Sequence, residues 1–214
     1  MGFVQVRVMS GSPHAPRTPG DANMTDVQLG WLEKTAKEVP IKHFLEVGVY
    51  KGVTTTHLAK FGTVVAVDWF AGNPEWHRAP DWKAGPNELN DRLGGFLRCV
   101  QEQGVGDKIT ILSGKSDDVL PFLKNDTFGL VLIDANHAMD FCYRDLVNTW
   151  DSVVSGGWVF LDDFSDVTIG EQLATPCPVR LAWEKFAKER GLDMLPLYTA
   201  DDGGRPKLVG IKKP

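Results

Sequence analysis

Short apolar runs alternate along the chain with longer stretches whose apolar residues recur at helical spacing. From Thr25, the residues Val27, Leu29, Leu32, Ala36 and Val39 share that spacing; Thr25 or Asp26 stands where a cap belongs, and Pro40 ends the pattern. A helix is therefore expected before the first strand. The run His43–Val49 reads as that strand, Val53–Phe61 as a helix and Thr63–Trp69 as the next strand. The alternation resumes with Lys108–Ser113, Asp117–Leu123, Phe128–Asp134, Tyr143–Val154 and Trp158–Asp163. Strands apolar along their whole length and separated by helices predict an α/β fold, with a doubly wound, mostly parallel sheet covered by helices on both faces.

The ends of the chain follow other patterns. Residues 1–24 mix Gly, Ser, Pro and Arg without periodicity and are expected to form an irregular arm before one domain over residues 25–214. A helix over Pro178–Arg190 precedes two strand-like runs, Met194–Thr199 and Lys207–Lys212. Asp201-Asp-Gly-Gly204 between those runs suits a hairpin, so the sheet should close on a C-terminal antiparallel pair. The segment from Phe70 to Asn87 lacks periodicity and is expected to lie as a loop over the sheet. Its Trp76, His77 and Trp82 either wall a substrate or pack the loop down.

Composition narrows the function. The 214 residues carry 23 Lys and Arg against 28 Asp and Glu, a formal net charge of -5, which disfavours a nucleic-acid or anionic-membrane binder and favours a small-molecule partner. No apolar run approaches the roughly 20 residues that cross a bilayer. Cys99, Cys142 and Cys177 are widely spaced, which argues against a disulfide scaffold or a cysteine zinc site and suggests a reducing cytoplasm. A homo-oligomer remains open.

Ligands of open α/β sheets bind beyond the carboxyl ends of the strands, and here those ends carry acids and glycines. Glu46-Val-Gly48 and Tyr50-Lys-Gly52 form a tight strand-to-helix turn. Asp68 ends the second strand about 20 residues on, where an acid can accept hydrogen bonds from both ribose hydroxyls, and this suggests a nucleoside cofactor. A carboxylate two positions before the first glycine would repel a pyrophosphate but could hold an ammonium group, so a cofactor with an amino-acid end fits better than a dinucleotide.

The Glu46-Val-Gly-Val-Tyr-Lys-Gly52 turn with Asp68 resembles the class I S-adenosyl-L-methionine-dependent methyltransferases, which have a Rossmann-like sheet. The resemblance implies that Glu46, Gly48 and Gly52 lie beside the methionine part and Asp68 binds the ribose. It also implies that the turn Gly114-Lys-Ser-Asp117 lies against the adenine; the residues alone suggest Ser116 as a helix cap with Asp117 and Asp118 in the first turn. Tyr50, Trp69 and Asp134 complete the candidate cofactor contacts.

Asp134 and the pair Asp162-Asp163 end two further strands. Neighbouring parallel strands would bring the three carboxylates together, where like charges about 4 Å apart repel by about 4 kcal/mol at a protein's effective dielectric. A divalent cation removes that penalty, and oxygen ligands favour magnesium, with manganese or calcium next; singly, each acid could equally cap a helix or stay solvated. His137, three residues past Asp134, could take a proton as a neutral imidazole. This span is similar to the metal-dependent small-molecule O-methyltransferases, both catechol and macrolide-sugar enzymes. By that resemblance Asp134, Asp162 and Asp163 bind magnesium and His137 is the general base, with His137 and Asp163 leaning toward the sugar-modifying relatives. The expected activity is methyl transfer to a hydroxyl of a small molecule. The alternatives are a cofactor-binding regulatory protein without turnover, or another metal-assisted enzyme on this scaffold.

Overall fold

The computed structural model describes residues 24–70, 92–164, 167–169, 172–192, 198–201 and 206–214. Met24 apart, the N-terminal arm lies outside them, as does the loop expected after Phe70. Five parallel strands form the body of the sheet: β1 (His43–Val47), β2 (Thr63–Asp68), β3 (Ile109–Ser113), β4 (Phe128–Ile133) and β5 (Val153–Leu161). Two antiparallel strands, β8 (Tyr198–Asp201) and β9 (Pro206–Lys212), complete a seven-stranded sheet in the order β3-β2-β1-β4-β5-β9-β8. The expected C-terminal pair is present, with its second strand laid against β5. A separate two-stranded ribbon, β6 (Val167–Ile169) and β7 (Gln172–Thr175), was not signalled by any sustained alternation.

Two-residue alternation divides the core between the sheet's faces. Phe44, Val64, Ala66, Leu130, Leu132 and Phe160 point to one face, where they pack against α1 (Asp26–Glu38), α2 (Val53–Leu58) and α3 (Arg92–Gln103). Leu45, Val47, Val65, Val67, Val131, Ile133, Val159 and Leu161 point to the other. There they meet α4 (Ser116–Val119), α5 (Met139–Trp150) and α6 (Pro178–Arg190), with Trp150, Trp183 and Phe186 forming the aromatic centre. Strand order reverses direction between β1 and β4, and it is at such a switch point that a crevice opens beyond the carboxyl ends.

Several boundaries differ from the sequence reading for local reasons. Thr25 caps α1 through a capping box, taking the Gln28 N–H on its hydroxyl while its own N–H donates to the Gln28 side-chain oxygen at 2.7 Å. Ser116 is the first residue of α4 rather than its cap, because Lys115 holds the extended cap position without a side-chain bond. Helix α5 begins at Met139, four residues before Tyr143, and β5 begins at Val153, five before Trp158. Helix α3 was missed altogether, since among its twelve residues only Phe96 and Val100 are buried.

Candidate functional site

A crevice of about 610 Å³ lies over the carboxyl ends of β1, β2, β3 and β4, within the volume range of small-molecule sites. Three of the four non-glycine residues with positive φ among the described residues, Tyr50, Phe70 and Asp163, stand at or beside its rim, and backbone strain of this kind gathers at functional sites.

The floor is the β1–α2 turn. Gly48 has φ +87, and a Cβ there would come within 2.2 Å of the Asp134 carbonyl oxygen; Gly52 has φ +82, and its Cβ would press on the Phe96 ring at 2.6 Å. Both glycines are thus required by the chain's own packing, before any ligand approaches. Asp68 fixes the turn from the neighbouring strand. One carboxylate oxygen accepts from the Val49 and Tyr50 N–H groups at 2.9 and 3.2 Å, and the other accepts from the Phe70 N–H at 2.7 Å. The oxygen bonded to Phe70 keeps a lone pair for a further donor, whereas the other is filled by its two backbone donors.

Glu46 is 2% exposed, on the α1–α3 face of β1, and borders the crevice. Burial holds its carboxyl well above the ordinary range, the nearby charges of Asp134 and Asp68 push the same way, and the Thr55 hydroxyl, donating at 2.5 Å, offsets part of the effect. A buried acid of this kind is complementary to an ammonium group. On the β3 side, Lys115 lies over the Trp69 ring at 4.9 Å, and the Asp117 carboxylate forms a two-pronged pair with Arg144 at 2.9 and 3.0 Å. Gly114, Lys115, Ser116 and Asp117 all border the crevice, as do Tyr50 and Trp69.

At the β4 end, His137 stands between two acids. Its Nε2 is 3.2 Å from Asp134 and its Nδ1 is 2.8 Å from Asp163. Burial pulls its pKa down, but hydrogen bonds to the two carboxylates and their charges outweigh burial and raise it to about 10. In this arrangement the imidazole is a cation, not the neutral ring expected from the sequence.

Asp162 takes another direction. It shares strand parity with Phe160, is 2% exposed, and accepts from the Gln28 amide at 3.3 Å, tying β5 to the capped end of α1. The structure brings Asp134, His137 and Asp163 together, while one oxygen of Asp162 is bonded to Gln28. Among the described residues no three His, Cys, Asp or Glu side chains are placed to hold a metal ion. The donor chemistry of Asp134 and Asp163 nonetheless fits a cation, because the His137 imidazolium already occupies the place of one between them.

Arg92 and Phe141 are crevice residues that the sequence did not single out. Arg92 follows an aperiodic segment, and Phe141 sits in the first turn of a helix that begins earlier than its apolar spacing suggests.

No match emerges among curated protein sequences. Solved structures do resemble the chain. They include the O-methyltransferase NovP (18% identity, 87% of this chain and 79% of that one, TM-score 0.59). TomG from Streptomyces achromogenes, an O-methyltransferase of tomaymycin synthesis solved with S-adenosyl-L-methionine, is 17% identical over 92% of this chain and 83% of its own, with a TM-score of 0.58. The O-methyltransferase from Bacillus cereus, solved with S-adenosylhomocysteine, is 16% identical over 91% and 84%, also at 0.58. At these identities the likeness establishes a shared Rossmann-like fold. The family model described as a methyltransferase domain matches residues 45–164, from within β1 to just past Asp163. That span covers more than half of the sequence and contains the β1–α2 turn, Asp68 and the Asp134–His137–Asp163 group, and by it the chain belongs to the methyltransferase-domain family.

Proposed function

We propose that the protein is an S-adenosyl-L-methionine-dependent O-methyltransferase acting on a hydroxyl of a small molecule. The observation that carries this reading is Glu46, a buried carboxyl in the floor of a crevice whose neighbouring acid, Asp68, already holds the backbone of the same turn. Glu46 suits the cofactor's ammonium, and the remaining lone pair of Asp68 suits a ribose hydroxyl. Trp69, with Gly114, Lys115, Ser116 and Asp117, forms the wall for the base. The cofactor, when bound, supplies an electrophilic methyl carbon on a sulfonium sulfur.

The Asp134–His137–Asp163 group then sits where an acceptor hydroxyl can be positioned and its proton received. Asp134 and Asp163 would hold a magnesium ion, which lowers the pKa of a hydroxyl it touches. Asp162, held at one oxygen by Gln28, would be their third carboxylate ligand. His137 is the proposed proton acceptor, and it is free for that role when another cation relieves it of neutralising the two carboxylates. Catalysis rests chiefly on alignment of the hydroxyl and removal of its proton cost.

Calorimetry with S-adenosylhomocysteine tests the cofactor, and absence of binding with and without magnesium refutes the reading. Methyl transfer to a panel of sugar and phenolic hydroxyls tests the reaction. Asp134→Ala and His137→Ala should each abolish it, with His137→Ala retaining cofactor binding. Turnover indifferent to EDTA would remove magnesium from the scheme and leave the cofactor assignment standing.

A further inference from the structure

Arg92 opens helix α3 and borders the crevice, with its guanidinium 5.6 Å from the centre of the Tyr50 ring. Its Nε is buried and finds no hydrogen-bond acceptor among the described residues. A buried donor left unmet is costly, and the helix gains nothing from a cation in its first turn. The surroundings add to the oddity. Lys51 lies over the same ring at 5.5 Å, so two cations flank one aromatic ring. The Tyr50 backbone is itself held, with φ +46 and its N–H bonded to Asp68, and both Tyr50 and Arg92 border the crevice beside its acids.

We infer that Arg92 is a carboxylate-binding residue of the crevice. A carboxylate approaching the Nε edge would meet two parallel N–H donors, satisfy the buried one and offset the charge of the two cations beside Tyr50. A phosphate dianion is disfavoured because Glu46, Asp68, Asp134 and Asp163 line the same cavity. The inference rests on the methyltransferase reading and deepens it, since two carboxylates could arrive there. One is the amino-acid end of the cofactor, whose ammonium Glu46 would take. The other belongs to an acidic acceptor.

The test is titration calorimetry on the full chain and its Arg92→Ala and Arg92→Lys variants, with circular dichroism to verify folding. S-adenosylhomocysteine is compared with 5′-methylthioadenosine, which keeps the nucleoside and lacks the amino-acid end. If Arg92 holds the cofactor, Arg92→Ala weakens S-adenosylhomocysteine about 10- to 100-fold and leaves methylthioadenosine within about twofold. Arg92→Lys then recovers part of the loss. If it holds the acceptor, S-adenosylhomocysteine is unaffected, but the saturated enzyme loses its preference for 3,4-dihydroxybenzoate over catechol. A wild-type chain that binds both cofactor analogues, with neither arm changed in Arg92→Ala or with both analogues weakened equally, overturns the Arg92 inference alone. A wild-type chain that binds neither analogue overturns it together with the methyltransferase reading.

Discussion

Asp145 lies on the buried stripe of α5 with Cys142, Leu146, Thr149 and Trp150, and it is 1% exposed. Neither carboxyl oxygen reaches hydrogen-bond geometry, although the Ser116 hydroxyl is near enough to offset part of what burial does. Burial raises the carboxyl from 3.8 to about 7, Asp117 adds to the rise, and Arg144 opposes it. The folded chain therefore keeps a proton that the unfolded chain releases. Stability is highest near pH 4 and falls as pH rises, by at most about 1.4 kcal/mol per pH unit, until about pH 7, above which this contribution is flat. The accumulated loss is on the order of 4 kcal/mol. Asp145→Asn removes the ionisation while keeping shape and polarity. At pH 5 the variant should match the wild type within about 1 to 2 kcal/mol, and at pH 8 it should be the more stable protein by roughly 3. Urea unfolding followed by tryptophan fluorescence at pH 5, 6, 7 and 8 reads this directly, with seven tryptophans supplying the signal. Two curves that stay parallel from pH 5 to pH 8 would show that Asp145 is not the buried acid described.

Three further outcomes follow from the packing. Gly48→Ala should cost about 3 kcal/mol or more in urea unfolding and exceed Gly52→Ala, because the new Cβ meets the Asp134 backbone in the first case and only the Phe96 ring in the second; equal costs would contradict the geometry. Trp183→Ala, at a fully buried side chain in contact with Trp150 and Phe186, should cost about 3–5 kcal/mol by the same assay. Brief iodoacetamide treatment of the folded chain at pH 8 should label Cys99 first, since Cys142 and Cys177 are buried and burial pushes the Cys142 thiol up to about 12; peptide mapping that finds Cys142 labelled equally fast would refute that ordering.

The fold and the site differ in how far they could be read from residue order. Strands β1 to β5 were found because a sheet buried on both faces makes each strand continuously apolar, and the acids were found because they interrupt those runs at their ends. Helix α3 escaped because Arg92-Leu-Gly-Gly-Phe-Leu-Arg-Cys-Val buries only Phe96 and Val100, so its apolar stripe is too thin to distinguish from a loop. Arg92 escaped with it. In the site, the spacing identified which carboxylates reach the crevice end but not where each one points. Strand parity settles one case: Asp162 continues the Phe160 face toward α1 and is claimed by Gln28, whose other amide atom completes the Thr25 capping box. That use of Asp162 could have been anticipated only by knowing that α1 docks against the end of β5, a contact about 130 residues distant in sequence. The protonation of His137 has the same origin. A histidine three residues past one acid reads as a neutral base, and its charged form is favoured here because the chain after β5 adds a second acid, Asp163, at its other nitrogen to the one supplied by Asp134. Tertiary contact therefore decides charge as well as position in this crevice, and any cation that binds Asp134 and Asp163 must do so in competition with His137.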